Sequence, residues 1–213
     1  MTMLLMPDGP LVVFAVGAHP DDIEIGCGGT LLTLAERNTA EIRTLVLTGT
    51  AERREEATHA ATAFGTAHPP RFAGLPDARL PQHWGEVKEA LNTFRADNPT
   101  PDLVLVPRAD DAHQDHRLLG RMAPTVWRGP LILHYEIPKW DGDTGQPNLY
   151  LPLRPDIAER KVALLNECYP SQHDCHWWDD ELFFALMRLR GVQAQCRYAE
   201  AFTAPKILMS LGE

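Results

Sequence analysis

The sequence predicts a single-domain α/β fold over residues 1–213, a mostly parallel Rossmann-like sheet with helices on both faces. Short apolar runs rich in β-branched residues alternate along the chain with longer stretches of helical periodicity. The runs are continuous rather than alternating, as strands covered on both faces require. A length of 213 residues at 44% hydrophobic and 23% charged suits one globular domain. Such a chain buries about 70% of the surface its unfolded form exposes, so it needs no disulfide or metal staple. A metal held here would serve chemistry.

Residues 11–16, bounded by Pro10 and Gly17, form the first and central strand, and residues 28–37 a helix carrying Leu31, Leu32, Leu34 and Ala35. Residues 42–47 give the second strand, and residues 52–64 an Ala- and Glu-rich helix closed by Gly65. A short strand is expected near 71–75. Trp84, Val87, Leu91 and Phe94 recur at steps of three and four, marking one face of a helix that ends before Pro99. Residues 102–106 and 131–135 read as strands, and 156–168 and 179–190 as helices. Residues 138–155, rich in Gly, Asp, Asn and Pro and carrying Trp140, read as a long surface loop. It either covers the functional site and sets specificity or is merely structural or disordered.

The net charge of −9 speaks against a nucleic-acid partner or an anionic membrane surface. Residues 11–18 are too few to span a bilayer, Pro7 and Asp8 interrupt the weakly apolar start, and no Lys or Arg precedes them as in a signal peptide. Cys27, Cys168, Cys175 and Cys196 have neither C-x-x-C spacing nor a dense framework. No disulfide, and a cytoplasmic location, are expected. Oligomeric state is not written in any pattern.

In an open α/β sheet, ligands sit beyond the carboxyl ends of the strands. Two polar segments fall there: Gly17-Ala18-His19-Pro20-Asp21-Asp22 after the first strand, and Asp110-Asp111-Ala112-His113-Gln114-Asp115-His116 after the strand ending at Val106. His19 and Asp22, three apart across a proline-fixed turn, can bring a nitrogen and an oxygen onto one ion. His113 and His116 share that spacing, and Asp115 is available to accept a ring N–H and fix a tautomer. Two histidines and one carboxylate leave the remaining positions of a catalytic zinc open. Asp21 is then the spare carboxylate that a general base requires. Taken alone, either segment is an ordinary polar turn or cap; the fold brings them together.

The run from Gly17 to Leu31 with the later His113-Gln114-Asp115-His116 resembles the LmbE-like, PIG-L family of zinc-dependent N-deacetylases. Arg53-Arg54-Glu55-Glu56-Ala57, Gly74-Leu75-Pro76-Asp77 and Ser171-Gln172 are weaker matches to the same family. The resemblance implies that His19, Asp22 and His116 bind Zn2+. Asp21 would be the general base, and a charged His113, held by Asp115, would oppose the oxyanion of the tetrahedral intermediate. Either Asp21 or His113 would protonate the leaving amine. It further implies an acetyl group as the leaving acyl and a small-molecule glycoside or amide as substrate, N-acetylglucosaminyl conjugates being common in the family. Family members commonly have Glu directly after the two aspartates, where Ile23 stands and Glu24 follows. Many carry a histidine where Tyr169 stands, so a substrate contact is expected to differ.

Arg53 and Arg54 open a helix on the ligand edge and either grip substrate or form a solvated face. Gly26, Gly28 and Gly29 lie too far past the first strand for a dinucleotide fingerprint and suit close helix packing. Cys168, His173, Cys175 and His176 fit no common zinc spacing. Rival classes are an amidase on a non-sugar or thiol-conjugate amide, a non-haem iron oxygenase using the same two-histidine, one-carboxylate set, and a non-catalytic metal or sugar binding module.

Overall fold

Strand β1 (Leu11–Gly17) is buried on both faces, and its side chains divide between two layers. Leu11, Val13 and Ala15 join one hydrophobic cluster, Phe14 and Val16 the other. The computed structural model describes Met3, Leu5, Met6 and residues 9–37 and 39–209; Pro7 and Asp8 lie outside them. The remaining strands are β2 (Ala40–Val46), β3 (Arg71–Phe72), β4 (Leu103–Pro107), β5 (Leu131–Tyr135), β6 (Leu149–Leu153) and β7 (Tyr198–Thr203). Helices α1 (Asp22–Ala35), α2 (Ala51–Ala63), α3 (Trp84–Ala96), α4 (Gln114–Val126), α5 (Pro155–Cys168) and α6 (Asp180–Gln193) cover the two faces.

The sheet runs β3-β2-β1-β4-β5-β7-β6, parallel except for β7, which is antiparallel to both neighbours. From β1 the chain winds outward in both directions, so β1 and β4 flank the point where strand order reverses. That is where such sheets open a crevice at their carboxyl ends. The segments after β1 and β4 are therefore neighbours in space. Among the described residues no helix is long and apolar enough to cross a membrane, and the four cysteines are unpaired.

Four elements depart from expectation. Helix α4 begins inside the polar His113–His116 run, and its apolar face of Leu119, Met122, Ala123 and Val126 emerges only beyond it. Residues 149–153 are not loop but strand β6, at the sheet edge, where the missing N–H of Pro152 costs no ladder bond. Strand β7 is masked in the sequence by Glu200 and small alanines. Helix α1 also starts at Asp22, six residues earlier than expected, with a kink at Cys27.

The glycines around that kink do pack closely. A Cβ on Gly26 would stand 2.2 Å from the Tyr135 ring, and one on Gly28 2.6 Å from that of Phe64. Glu200, buried in β7, accepts the N–H groups of Gly29 and Thr30 at 2.8 and 2.7 Å, the Thr30 hydroxyl at 2.6 Å and Lys161 Nζ at 2.7 Å. Lys161 also donates to Ile25 O at 2.7 Å. One anion thus ties α1, α5 and β7 together. Glu200→Ala leaves the buried Lys161 ammonium without its carboxylate, and urea unfolding is expected to show a loss of about 3–5 kcal/mol.

Candidate metal centre

Asp22, the first residue of α1, folds the turn after β1 onto itself. Its Oδ2 accepts the N–H groups of Ala18 and His19, each at 2.8 Å. The neighbouring Asp21 takes a left-handed backbone, φ +112°, a conformation costing a non-glycine residue about 1–3 kcal/mol and held only by its surroundings. Across the crevice His113 caps α4, its Nδ1 accepting the Asp115 N–H at 3.3 Å, which places His116 in the helix's first turn.

These turns bring three donor groups together. His19 Nδ1 lies 3.0 Å from His116 Nε2 and 3.5 Å from Asp22 Oδ2, and His116 Nε2 lies 3.2 Å from Asp22 Oδ1. Ligands about 2.0–2.1 Å from a tetrahedral zinc ion stand about 3.3 Å from one another, so the donor set fits such an ion. His113 closes the group: one ring nitrogen each of His19, His113 and His116 falls within a 4.8 Å span.

The site is strongly anionic. Burial lowers the His116 pKa, but the Asp22 charge and the adjacent oxygens of Asp111 and Asp22 outweigh it and raise it to about 9. His19 is likewise raised, with Asp22 as the chief opponent of its burial. Burial works against the Asp22 charge, yet His116 and His19 hold its pKa well below the carboxylate range. The carboxylates thus favour positive charge on this pair of imidazoles, in the place a cation would take.

Asp115 does not hold His113 as expected. Its Oδ1 accepts the Leu80 N–H at 3.1 Å and its Oδ2 stands 3.4 Å from His19 Nε2, which Asp77 Oδ1 also approaches at 3.1 Å. The cap geometry is the reason: His113 Nδ1 receives the Asp115 backbone N–H, and the Asp115 carboxylate turns away toward His19. Nor is a charged His113 favoured, because burial and then the charges of His116 and His19 lower its pKa. The missed carboxylate is Asp111. Its Oδ1 accepts the His113 N–H at 2.8 Å and pairs with Lys139 Nζ at 2.9 Å, while its Oδ2 lies 3.3 Å from His116 Nδ1. Burial opposes its charge, but His116 and Lys139 bring its pKa down to about 2. The sequence held Asp111 within the polar run but gave no spacing rule to select it.

Arg53 sits against the spare carboxylate. Its Nη2 donates to Asp21 Oδ2 at 2.6 Å and also to Pro20 O, and its Nη1 to Glu56 Oε2 at 3.0 Å and Ser171 Oγ at 3.1 Å. Glu56 in turn accepts the Ser171 N–H and hydroxyl at 2.8 and 2.7 Å. Arg54 points elsewhere, its Nε donating to Gly49 O and its guanidinium lying over Phe72. Tyr169 donates to the buried Glu24 at 2.7 Å, a contact inside the fold.

Comparison with known proteins adds a third line. The family described as PIG-L, GlcNAc-PI de-N-acetylase, matches residues 14–127, just over half the chain. The chain belongs to this family. A relative, the uncharacterized deacetylase YaiS of Escherichia coli K12, is 31% identical over 168 residues, covering 73% of this chain and 89% of the relative. The N,N'-diacetylchitobiose deacetylase of Pyrococcus horikoshii superposes with a TM-score of 0.73 at 22% identity, over 91% of this chain and 83% of that one. A hydratase of Pseudomonas putida, GalB, does so with 0.71 at 20%, over 95% and 100%. At these identities the two structures speak for the fold, which carries more than one kind of reaction.

Burial raises the Asp21 pKa to about 6 and the Arg53 charge opposes it. Removing that charge in Arg53→Gln therefore shifts the Asp21 pKa upward, and the Asp21 carboxyl carbon followed by NMR across a pH series in the metal-free protein reads the change. An unmoved midpoint would show that Arg53 does not act on Asp21.

Proposed function

We propose that this chain is a zinc hydrolase that removes an acetyl group from the amide nitrogen of a small N-acetylglucosaminyl-type conjugate. The observation that carries the reading is the convergence of His19 Nδ1, His116 Nε2 and the Asp22 carboxylate within 3.0–3.5 Å, with a buried second carboxylate, Asp21, beside them. A zinc ion in that set supplies Lewis acidity and makes water a nucleophile near neutral pH.

The chain's own residues do the rest. Asp21, kept in place by Arg53, takes the proton of the attacking water and returns it to the departing amine. His113 with Nδ1 occupied as an acceptor carries its ring proton on Nε2 when neutral, so it donates a hydrogen bond to the oxyanion without itself being charged. Asp115 and Asp77 act on His19 and Asp111 on His116, fixing which ring nitrogen is free to bind the metal. The acetamido sugar is supported by the family description and by the disaccharide in the name of the Pyrococcus horikoshii neighbour. A cytoplasmic setting is supported by the unpaired cysteines. An iron oxygenase is the weaker reading, because an Arg-held spare carboxylate has no task in oxygen activation.

Metal analysis paired with an amine-release screen over N-acetylated sugars and their conjugates tests the reading. Release is expected to require zinc and to stop with a chelator. Asp22→Ala should lose the metal. Asp21→Asn should keep it and slow release by about 10²–10⁴-fold, and His113→Ala should keep it and slow release by about 10²–10³-fold. Unchanged hydrolysis by metal-loaded Asp21→Asn would remove the base from the mechanism, and iron-dependent oxygen uptake without zinc would favour the rival.

A further inference from the structure

Beside the Asp111–Ala112 segment that leads into His113 the chain presents a large uncovered ring. Trp140 is 71% exposed, yet its loop is anchored: Lys139 pairs with Asp111, and Asp143 Oδ2 accepts the Ala112 N–H at 2.7 Å. Residues 139–143 therefore lie against the segment that leads into His113. The Trp140 ring meets Trp177, with centroids 6.1 Å apart and planes at 78°. From Trp177 the contacts run to Trp178 and then to Tyr169, over whose ring the Arg53 guanidinium sits at 5.4 Å. Arg53 holds Asp21. The Trp140–Trp177 pair thus stands between the segment that leads into His113 and, through Trp178 and Tyr169, the arginine that positions the base.

We infer that Trp140, braced by Trp177, is a stacking platform for a second pyranose ring, the sugar joined to the residue that bears the acetamido group. This rests on the amino-sugar reading above. A pyranose offers an apolar C–H face to an indole and a rim of hydroxyls around it. Trp140 has matching surroundings, with Asp141 at 3.8 Å from Lys139 Nζ and Asp143 at 3.4 Å from the same atom. Of these, Asp141, its side chain 42% exposed, is open to accept from hydroxyls. An alkyl tail on the same ring would strip water from the carboxylates with nothing in return, so a lipid substituent is disfavoured.

Steady-state kinetics on N-acetylglucosamine and on N,N'-diacetylchitobiose, with Trp140→Ala and Trp140→Phe, test the platform, together with quenching of intrinsic fluorescence by the disaccharide. In Trp140→Ala the disaccharide KM is expected to rise about tenfold at unchanged kcat. The monosaccharide KM should stay where it was. Trp140→Phe should recover most of the disaccharide KM but lose the quenching, because the reporting ring is gone. Disaccharide kinetics unaffected by Trp140→Ala would overturn the platform and leave the proposed function standing. An equal KM rise on both sugars would also overturn it, since a loop that merely props the site moves both. No amine release from either sugar would overturn the amino-sugar reading and the platform with it.

Discussion

Two imidazole nitrogens, His19 Nδ1 and His116 Nε2, stand 3.0 Å apart with a buried carboxylate beside both. Two ring nitrogens at that distance cannot both point protons at each other. One donates to the other, or both give lone pairs to a shared cation. The surrounding carboxylates decide the charge of the arrangement. Asp22 is in contact, Asp111 lies behind His116, and Asp77 and Asp115 behind His19. Together they hold positive charge at the centre whether it arrives as protons or as a metal, and metal binding must expel the protons. The reversal of strand order at β1 and β4 serves this approach, since only neighbouring strands place two turns this close.

The base is assembled at a cost in backbone strain. Asp21 combines a left-handed conformation with burial, and neither is tolerated without compensation from its surroundings. Arg53 supplies it, holding both the Asp21 carboxylate and the Pro20 carbonyl with one nitrogen. Its other terminal nitrogen is committed to Glu56 and Ser171, so one guanidinium serves two carboxylates on two segments. An arginine engaged in this way is a brace for Asp21 more than a hand free for substrate. The three weaker sequence matches around Arg53, Asp77 and Ser171 accordingly meet the metal turn in space: Asp77 through His19, Ser171 through Arg53.

What was legible in the sequence was whatever depends on periodicity. β5 falls on residues 131–135 as read, and α2 and α5 agree within one residue at either end. The convergence of the two polar segments was legible as well, because it follows from strand order. Elements whose pattern is interrupted by function were not. Helix α4 opens on metal-site residues, β6 carries a proline its edge position excuses, and β7 carries a glutamate that α1 and Lys161 neutralise. The partners of the histidines were illegible for a different reason. Whether Asp115 faces His113 or His19 depends on the cap rotamer at the start of α4, and no spacing rule encodes it.

That same helix start bears on how His113 acts. Helices α1 and α4, of 14 and 13 residues, both present their N-termini to the crevice, Asp22 in the first turn of one and His116 in the first turn of the other. Their partial positive charge favours anions and disfavours an imidazolium at the cap position. It helps keep Asp22 ionised against its burial, and it acts on His113 in the same direction as the neighbouring histidines, which lower its pKa. A neutral His113 is still an effective donor, because stabilising an oxyanion needs an aligned N–H in a water-poor site more than a net charge. The helix ends, aimed at the same space, add positive potential there without any proton to lose. The crevice thus sets carboxylates where a cation belongs and N–H dipoles where a negative oxygen would develop.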